Sequence, residues 1–154
     1  MEHAFAYAET AKMESETDYP YTGKDGKCSY DASKGVVGPF TSYKNPTPND
    51  PNQLAAALAI GPVSIGVDGA SIGYQFYDRG VMKNHCGKKL DHGNLLVGMG
   101  SEVNKKNETI DYWIVKNSWG QDWGEDGYLR LIRNMTETGP GLCGLQKDPA
   151  YPIL

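Results

Sequence analysis

A continuous apolar run of the roughly 20 residues needed to cross a bilayer is missing from this 154-residue chain, so no helical membrane span is expected. A basic surplus is missing too. Lys and Arg number 15 against 19 Asp and Glu, and the formal net charge of −4 argues against nucleic acid as a partner, because phosphate binding needs a basic surface. The opening residues MEHAFAYAETAK begin with an acid and hold no apolar core, so they do not read as a secretory signal. Repeats, low-complexity tracts and an obvious linker are absent. Cysteines are few and odd in number, three, so in an oxidising compartment one is left over or paired outside the chain. The grouping of His85, Cys86, Asp91 and His92 lacks paired-ligand spacing, and neither a metal nor a cofactor is expected.

What is present is ordinary in bulk and specific in detail. Hydrophobic content of 39% and charged content of 22% fit a soluble globular domain large enough to bury a core. Nineteen glycines, nine prolines and ten tyrosines point to many defined turns. Met1, Ala4, Phe5, Ala8 and Ala11 recur at helical spacing, which predicts an amphipathic helix over residues 1–12. A second helix is better bounded: Asp50 can cap it, Pro51 suits its first position, and Gly61-Pro62 stops it. Strand patterns follow in PVSIGVD, NLLVGMG, TIDYWIVKN and YLRLIRN, with the charged stretch 101–109 between two of them read as a solvated hairpin connection. The expected class is α+β, helices first and then an antiparallel sheet that curls into a barrel.

Of the histidines His3, His85 and His92, the last is the most informative, since it opens a strand between Asp91 and Gly93 and the glycine leaves one side of its ring open. A catalytic imidazole needs one nitrogen held so that the other faces the substrate, and an amide oxygen can accept the Nδ1–H without changing the charge. Asn117, in YWIVKNSWGQDWGEDGYLRL, is the candidate amide. Trp119 and Trp123 beside it read equally well as plain core packing.

The segments LDHGNLLVGMG and DYWIVKNSWGQDWGEDGYLRL resemble the His and Asn segments of papain-like cysteine proteases, the cathepsin L group in particular. SETDYPYTGKDGKC, GPVSIGVD, GLCG and YPIL resemble further landmarks of that family, in order, over nearly the whole chain. The resemblance implies a papain-like fold: residues 1–34 as a remnant of the helical domain and 35–154 as the β-barrel domain carrying His92 and Asn117. His92 would be the general base and then the acid, Asn117 would orient its ring, and Trp119 would shield the bond between them from water. Cys86 and Cys143 match a family disulfide, whereas Cys28 matches the half of one whose partner lies upstream. The S2 pocket would be lined by Leu90, Gly93 and Met1, with Asp148 at its floor; a solvated Asp148 in the KDPAYP turn is an equal alternative. Asn94 departs from the family's usual apolar strand, and a buried amide there needs partners.

The family's nucleophilic cysteine lies roughly 130 residues upstream of the histidine. Counting back from His92 passes Met1 with about 40 residues to go, so that segment and the oxyanion glutamine are not among these residues. The chain then reads as the His- and Asn-bearing part of a papain-like cysteine endopeptidase, with the thiolate supplied from elsewhere. The alternative is an inactive papain-like module with a binding or structural role. Without the upstream segment the face of Phe5, Ala8 and Ala11 would be exposed, so that segment or another protein chain is expected to cover it. Peptides or proteins are the expected substrate, and a lysosomal, vacuolar or secreted setting is implied by the family. Sequons at Asn107 and Asn134 lean toward the same setting, although such tripeptides are common by chance.

Overall fold

A computed structural model describes residues 1–36 and 40–153. The chain divides into two compact units, residues 1–44 with 152–154, and residues 45–151.

In the smaller unit, helix α1 covers Glu2–Ala8. It ends four residues short of the periodic pattern, because the Thr10 hydroxyl and backbone both turn back to the Tyr7 carbonyl, offering the chain an alternative to further helix. The Phe5 face is not left bare, contrary to expectation. The Phe5 ring stacks on Tyr43 at 5.8 Å between centroids and meets the edge of Phe40 at 5.7 Å, and Ala8 is buried. Tyr43 lies on strand β1, Ser42–Lys44. Met1, Tyr7 and Met13 are the large apolar residues of this segment that stay exposed.

The larger unit opens with helix α2, Pro51–Leu58. Its cap is made as its sequence predicts: the Asp50 carboxylate accepts from the backbone N–H groups of Asn52 and Gln53, and Pro51 needs no donor at the first position. Strand β2, Val63–Val67, buries Val63, Ile65 and Val67 completely. A single helical turn, α3, Ile72–Gln75, and a two-residue strand β3, Val81–Met82, lead to the long strand β4, His92–Val103. Strands β5, Thr109–Lys116, and β6, Tyr128–Ile132, complete a sheet of order β2-β4-β5-β6-β3, antiparallel except for the β3–β6 pair. The last strand, β7, Tyr151–Ile153, pairs with β1 in a separate two-stranded sheet.

Residues 101–103 of the charged stretch are not loop. Ser101, Glu102 and Val103 pair with Asp111, Ile110 and Thr109, and only 104–108 form the connection. Asn104 makes this short link possible, as its side-chain oxygen accepts from the N–H groups of Lys106 and Glu108. Between Leu96 and Gly98 the β4–β5 register shifts by a bulge. Leu96, Trp113, Val115, Leu129 and Leu131 from the three central strands join the β2 side chains in the core.

Candidate active site

His92 is the first residue of β4 and Asn117 follows the last residue of β5. Because the two strands are antiparallel neighbours, the start of one lies beside the end of the other, and residues 25 apart in sequence meet. The ring nitrogen that meets the amide is Nε2, 2.8 Å from Asn117 Oδ1. This corrects the expectation of an Nδ1 contact. The amide's orientation is fixed by chemistry, since the Ser118 backbone N–H, which can only donate, points to the same Oδ1 at 2.8 Å. An oxygen facing Nε2 requires a proton on Nε2, which leaves Nδ1 of the neutral ring as the free base.

Asn117 is buried and its own N–H donates to the carbonyl of Gly127 at 2.9 Å. Gly127 sits at φ +88°, and a Cβ there would press on the Gly120 carbonyl at 3.1 Å, so the turn behind the amide requires glycine. His92 is held from the other side as well. The Asp91 carboxylate accepts from the N–H groups of Gly69 and Ala70 at 2.8 and 3.3 Å, drawing that loop against the histidine. A Cβ at Gly69 would lie 2.6 Å from the His92 Cβ, so only glycine permits this approach.

Three aromatic rings cluster beside the pair. The Trp119 ring lies 5.0 Å from the imidazole with a 31° tilt, and remains 42% exposed. Tyr74, fully buried, meets His92 and Trp119 edge-on and stacks on Trp123 at 5.4 Å. Trp123 donates its indole N–H to the Gln75 carbonyl at 3.1 Å. Burial drives the Tyr74 hydroxyl well above the usual phenol range, so it stays protonated. Tyr74 also accepts a hydrogen bond from Asn94 at 2.8 Å, which gives the predicted partner to that buried amide. Tyr74, Gly69 and the loop-drawing role of Asp91 had no motif to announce them; their partners come from other segments.

The remaining sequence candidates fall as follows. Leu90 packs between two glycines: a Cβ at Gly66 or at Gly144 would come within 3.0 or 2.9 Å of its methyl groups. Gly93 is exposed with open space beside it, and Asp148 is half-buried; both lie in the larger unit with Leu90. Met1 belongs to the smaller unit and is exposed. Cys86 and Cys143 form a disulfide with Cα atoms 4.9 Å apart, and Cys28 is a free, exposed thiol in the smaller unit. Asn107 and Asn134 are both exposed, and the Asn134 side-chain oxygen accepts from the Thr136 hydroxyl of its own sequon at 2.8 Å.

A profile described as "Papain family cysteine protease" matches residues 1–153. Among curated relatives, the KDEL-tailed cysteine endopeptidase CEP2 of Arabidopsis thaliana is 42% identical over 154 residues, which is 99% of this chain and 41% of the relative. Cysteine proteinase RD21A of the same plant is 39% identical, with 99% of this chain and 32% of the relative covered. The chain therefore spans less than half the length of these relatives. Among solved structures, the bromelain protease of Ananas comosus in complex with the E64 inhibitor superposes with a TM-score of 0.85 at 31% identity, covering 99% of this chain and 68% of that one. Digestive procathepsin L 3 of the Tenebrio molitor larval midgut gives 0.85 at 38% identity, covering 100% of this chain and 48% of that one.

Proposed function

The chain belongs to the papain family of cysteine proteases, and on that premise we propose that it supplies the acid–base half of a cysteine endopeptidase. The observation that carries this reading is the 2.8 Å contact from His92 Nε2 to an Asn117 oxygen whose orientation a backbone N–H settles. The contact leaves Nδ1 as the nitrogen available for proton transfer.

The chemistry follows from that geometry. A thiolate from a segment outside these residues attacks the peptide carbonyl, while the imidazolium holds the proton taken from the thiol. Its Nδ1–H then passes to the leaving amine as the C–N bond breaks, giving a thioester. Water attacks the thioester with Nδ1 as base, and the thiol is regenerated. Asn117 keeps the second proton on Nε2 throughout, so the ring turns only one basic nitrogen to the reaction. Trp119 covers one face of the ring and lowers the local dielectric around the bond. Within the larger unit, Leu90, Gly93 and Asp148 are assigned to the pocket that selects the side chain before the scissile residue, with Asp148 favouring a basic one. Residues 1–34 are read as the remnant of a helical domain and 35–154 as the β-barrel domain. The Cys86–Cys143 disulfide supports a vacuolar, lysosomal or secreted setting, since such bonds persist where the medium is oxidising.

A thiol-directed epoxide applied to the purified native material, read by intact mass beside a peptide-hydrolysis assay, tests this. Label on a cysteine outside these 154 residues, with hydrolysis lost in His92→Ala, is the expected result. Absence of both label and hydrolysis, or label confined to Cys28, overturns the reading in favour of an inactive papain-like module.

A further inference from the structure

Asn94 lies on β4 two residues after His92, so strand periodicity turns both side chains to the same side of the sheet. It is 92% buried, being 8% exposed, at a position where the sequence resemblance leads one to expect an apolar residue. Its Nδ2 has three acceptors in reach: the Tyr74 hydroxyl at 2.8 Å, the Lys116 carbonyl at 3.2 Å and Asn117 Oδ1 at 3.3 Å. The Lys116 carbonyl can only accept, so the amide nitrogen, not the oxygen, faces this way. Its oxygen Oδ1 has no partner among the described residues, a cost to stability that an apolar side chain would avoid.

The Asn117 carboxamide explains what that cost is for. Its Nδ2 is buried with no partner among the described residues, so every bond that orients the group ends on Oδ1. Three donors reach that oxygen. Ser118 is the next residue in the chain and moves with Asn117; His92 is the group to be positioned. Asn94 is the remaining donor, reaching Asn117 from the neighbouring strand β4.

We propose that Asn94, steadied by Tyr74, is a positioning residue that clamps the Asn117 carboxamide from the neighbouring strand and through it fixes the His92 ring. The inference rests on the proposed pairing of His92 with Asn117 and needs no thiol to be tested. The readout is the exchange lifetime of the His92 Nε2–H proton, followed by proton NMR on this chain. Asn117→Ala removes the acceptor and loses the resonance; if it does not, the pairing itself is wrong. Asn94→Val keeps the volume and removes the donor, and shortens the lifetime roughly fivefold to tenfold, the factor for one lost hydrogen bond. Leu96→Val, a cavity change two residues along the same strand, leaves the lifetime unchanged. Tyr74→Phe, which keeps the ring, shifts it in the direction of Asn94→Val and serves if that variant does not fold. A normal lifetime in Asn94→Val or Tyr74→Phe, beside a lost resonance in Asn117→Ala, overturns the clamp and spares the pairing. An equal change in Leu96→Val also overturns it, since loosening of the sheet would then be the cause.

Discussion

At Gly69 and Gly73 the backbone passes so close to its neighbours that a methyl group has no room. A Cβ at Gly73 would sit 2.1 Å from the His85 carbonyl oxygen, a backbone atom that cannot swing aside. Gly93, beside the histidine, has nothing within 4 Å of the same position. Gly73→Ala is therefore expected to cost about 2 kcal/mol, lowering the thermal midpoint by roughly 4–8 °C. Gly93→Ala is expected to leave the midpoint within about 2 °C of wild type. Thermal unfolding followed by circular dichroism separates them, and equal losses would contradict the packing described. This contrast also marks what was legible at this scale. His92 and Asn117 could be picked out because their residue types and flanking glycines and tryptophans form a pattern along the chain. Tyr74 and Gly69 could not, because what makes them matter is a ring or a Cβ contributed by another segment. Asn94 stood between the two: its sequence position raised the question of a partner, and only the fold supplied Tyr74, from α3, and Asn117, from the end of β5.

Strand and helix identities followed from period and caps, since the residues that set them, such as Asp50 and the Val63-Ile65-Val67 alternation, are contiguous. The length of β4 was not legible, because the charged stretch 101–109 reads as solvent whether or not its backbone is paired. Part of the explanation is Arg130 on β6, which reaches across the sheet to Glu102 and forms a two-pronged pair with Glu125 at 2.8 and 2.7 Å. Its guanidinium also lies over the Tyr112 ring of β5 at 5.0 Å. Those partners let charged residues sit on paired strands. The Arg130 hydrogen bonds, assisted by the Gly80 N–H, hold the Glu125 carboxyl below its ordinary range. A carboxyl with a depressed folded pKa adds stability above its unfolded value and loses it as pH falls through the folded one. Glu125→Gln should thus be less stable than wild type at pH 7. The gap should narrow below about pH 4.3 as the native carboxylate is protonated. Urea unfolding at pH 7, 5 and 3 checks the sign; a gap that widens with acid would refute it.

At the scale of the molecule the two units differ in what holds them. The larger one is the mainly antiparallel sheet of the papain-like fold, and it contains every described buried apolar residue except Ala8. The smaller one relies on local ring contacts such as Phe5 with Tyr43 and Phe40, and on bonds such as the Tyr30 hydroxyl to the Lys12 carbonyl. Local opening costs least where few apolar groups are buried. Native-state hydrogen exchange should therefore find amides of α1 exchanging by low-cost opening, while those in the middle of β4 and β5 exchange only on global unfolding. The Cys86–Cys143 bond acts within the larger unit alone, closing a loop over a separation of 57 residues. In the chain-entropy picture such a loop is worth about 4 kcal/mol. Mild reduction, or the double substitution Cys86→Ser with Cys143→Ser, should then lower protection of β4 and β5 by up to about a thousandfold, the factor equivalent to that energy. The amides of α1 should be left unchanged, because their opening never involves the bond. The prediction separates the two units by experiment: a fall in α1 protection of the same size would mean that they unfold as one.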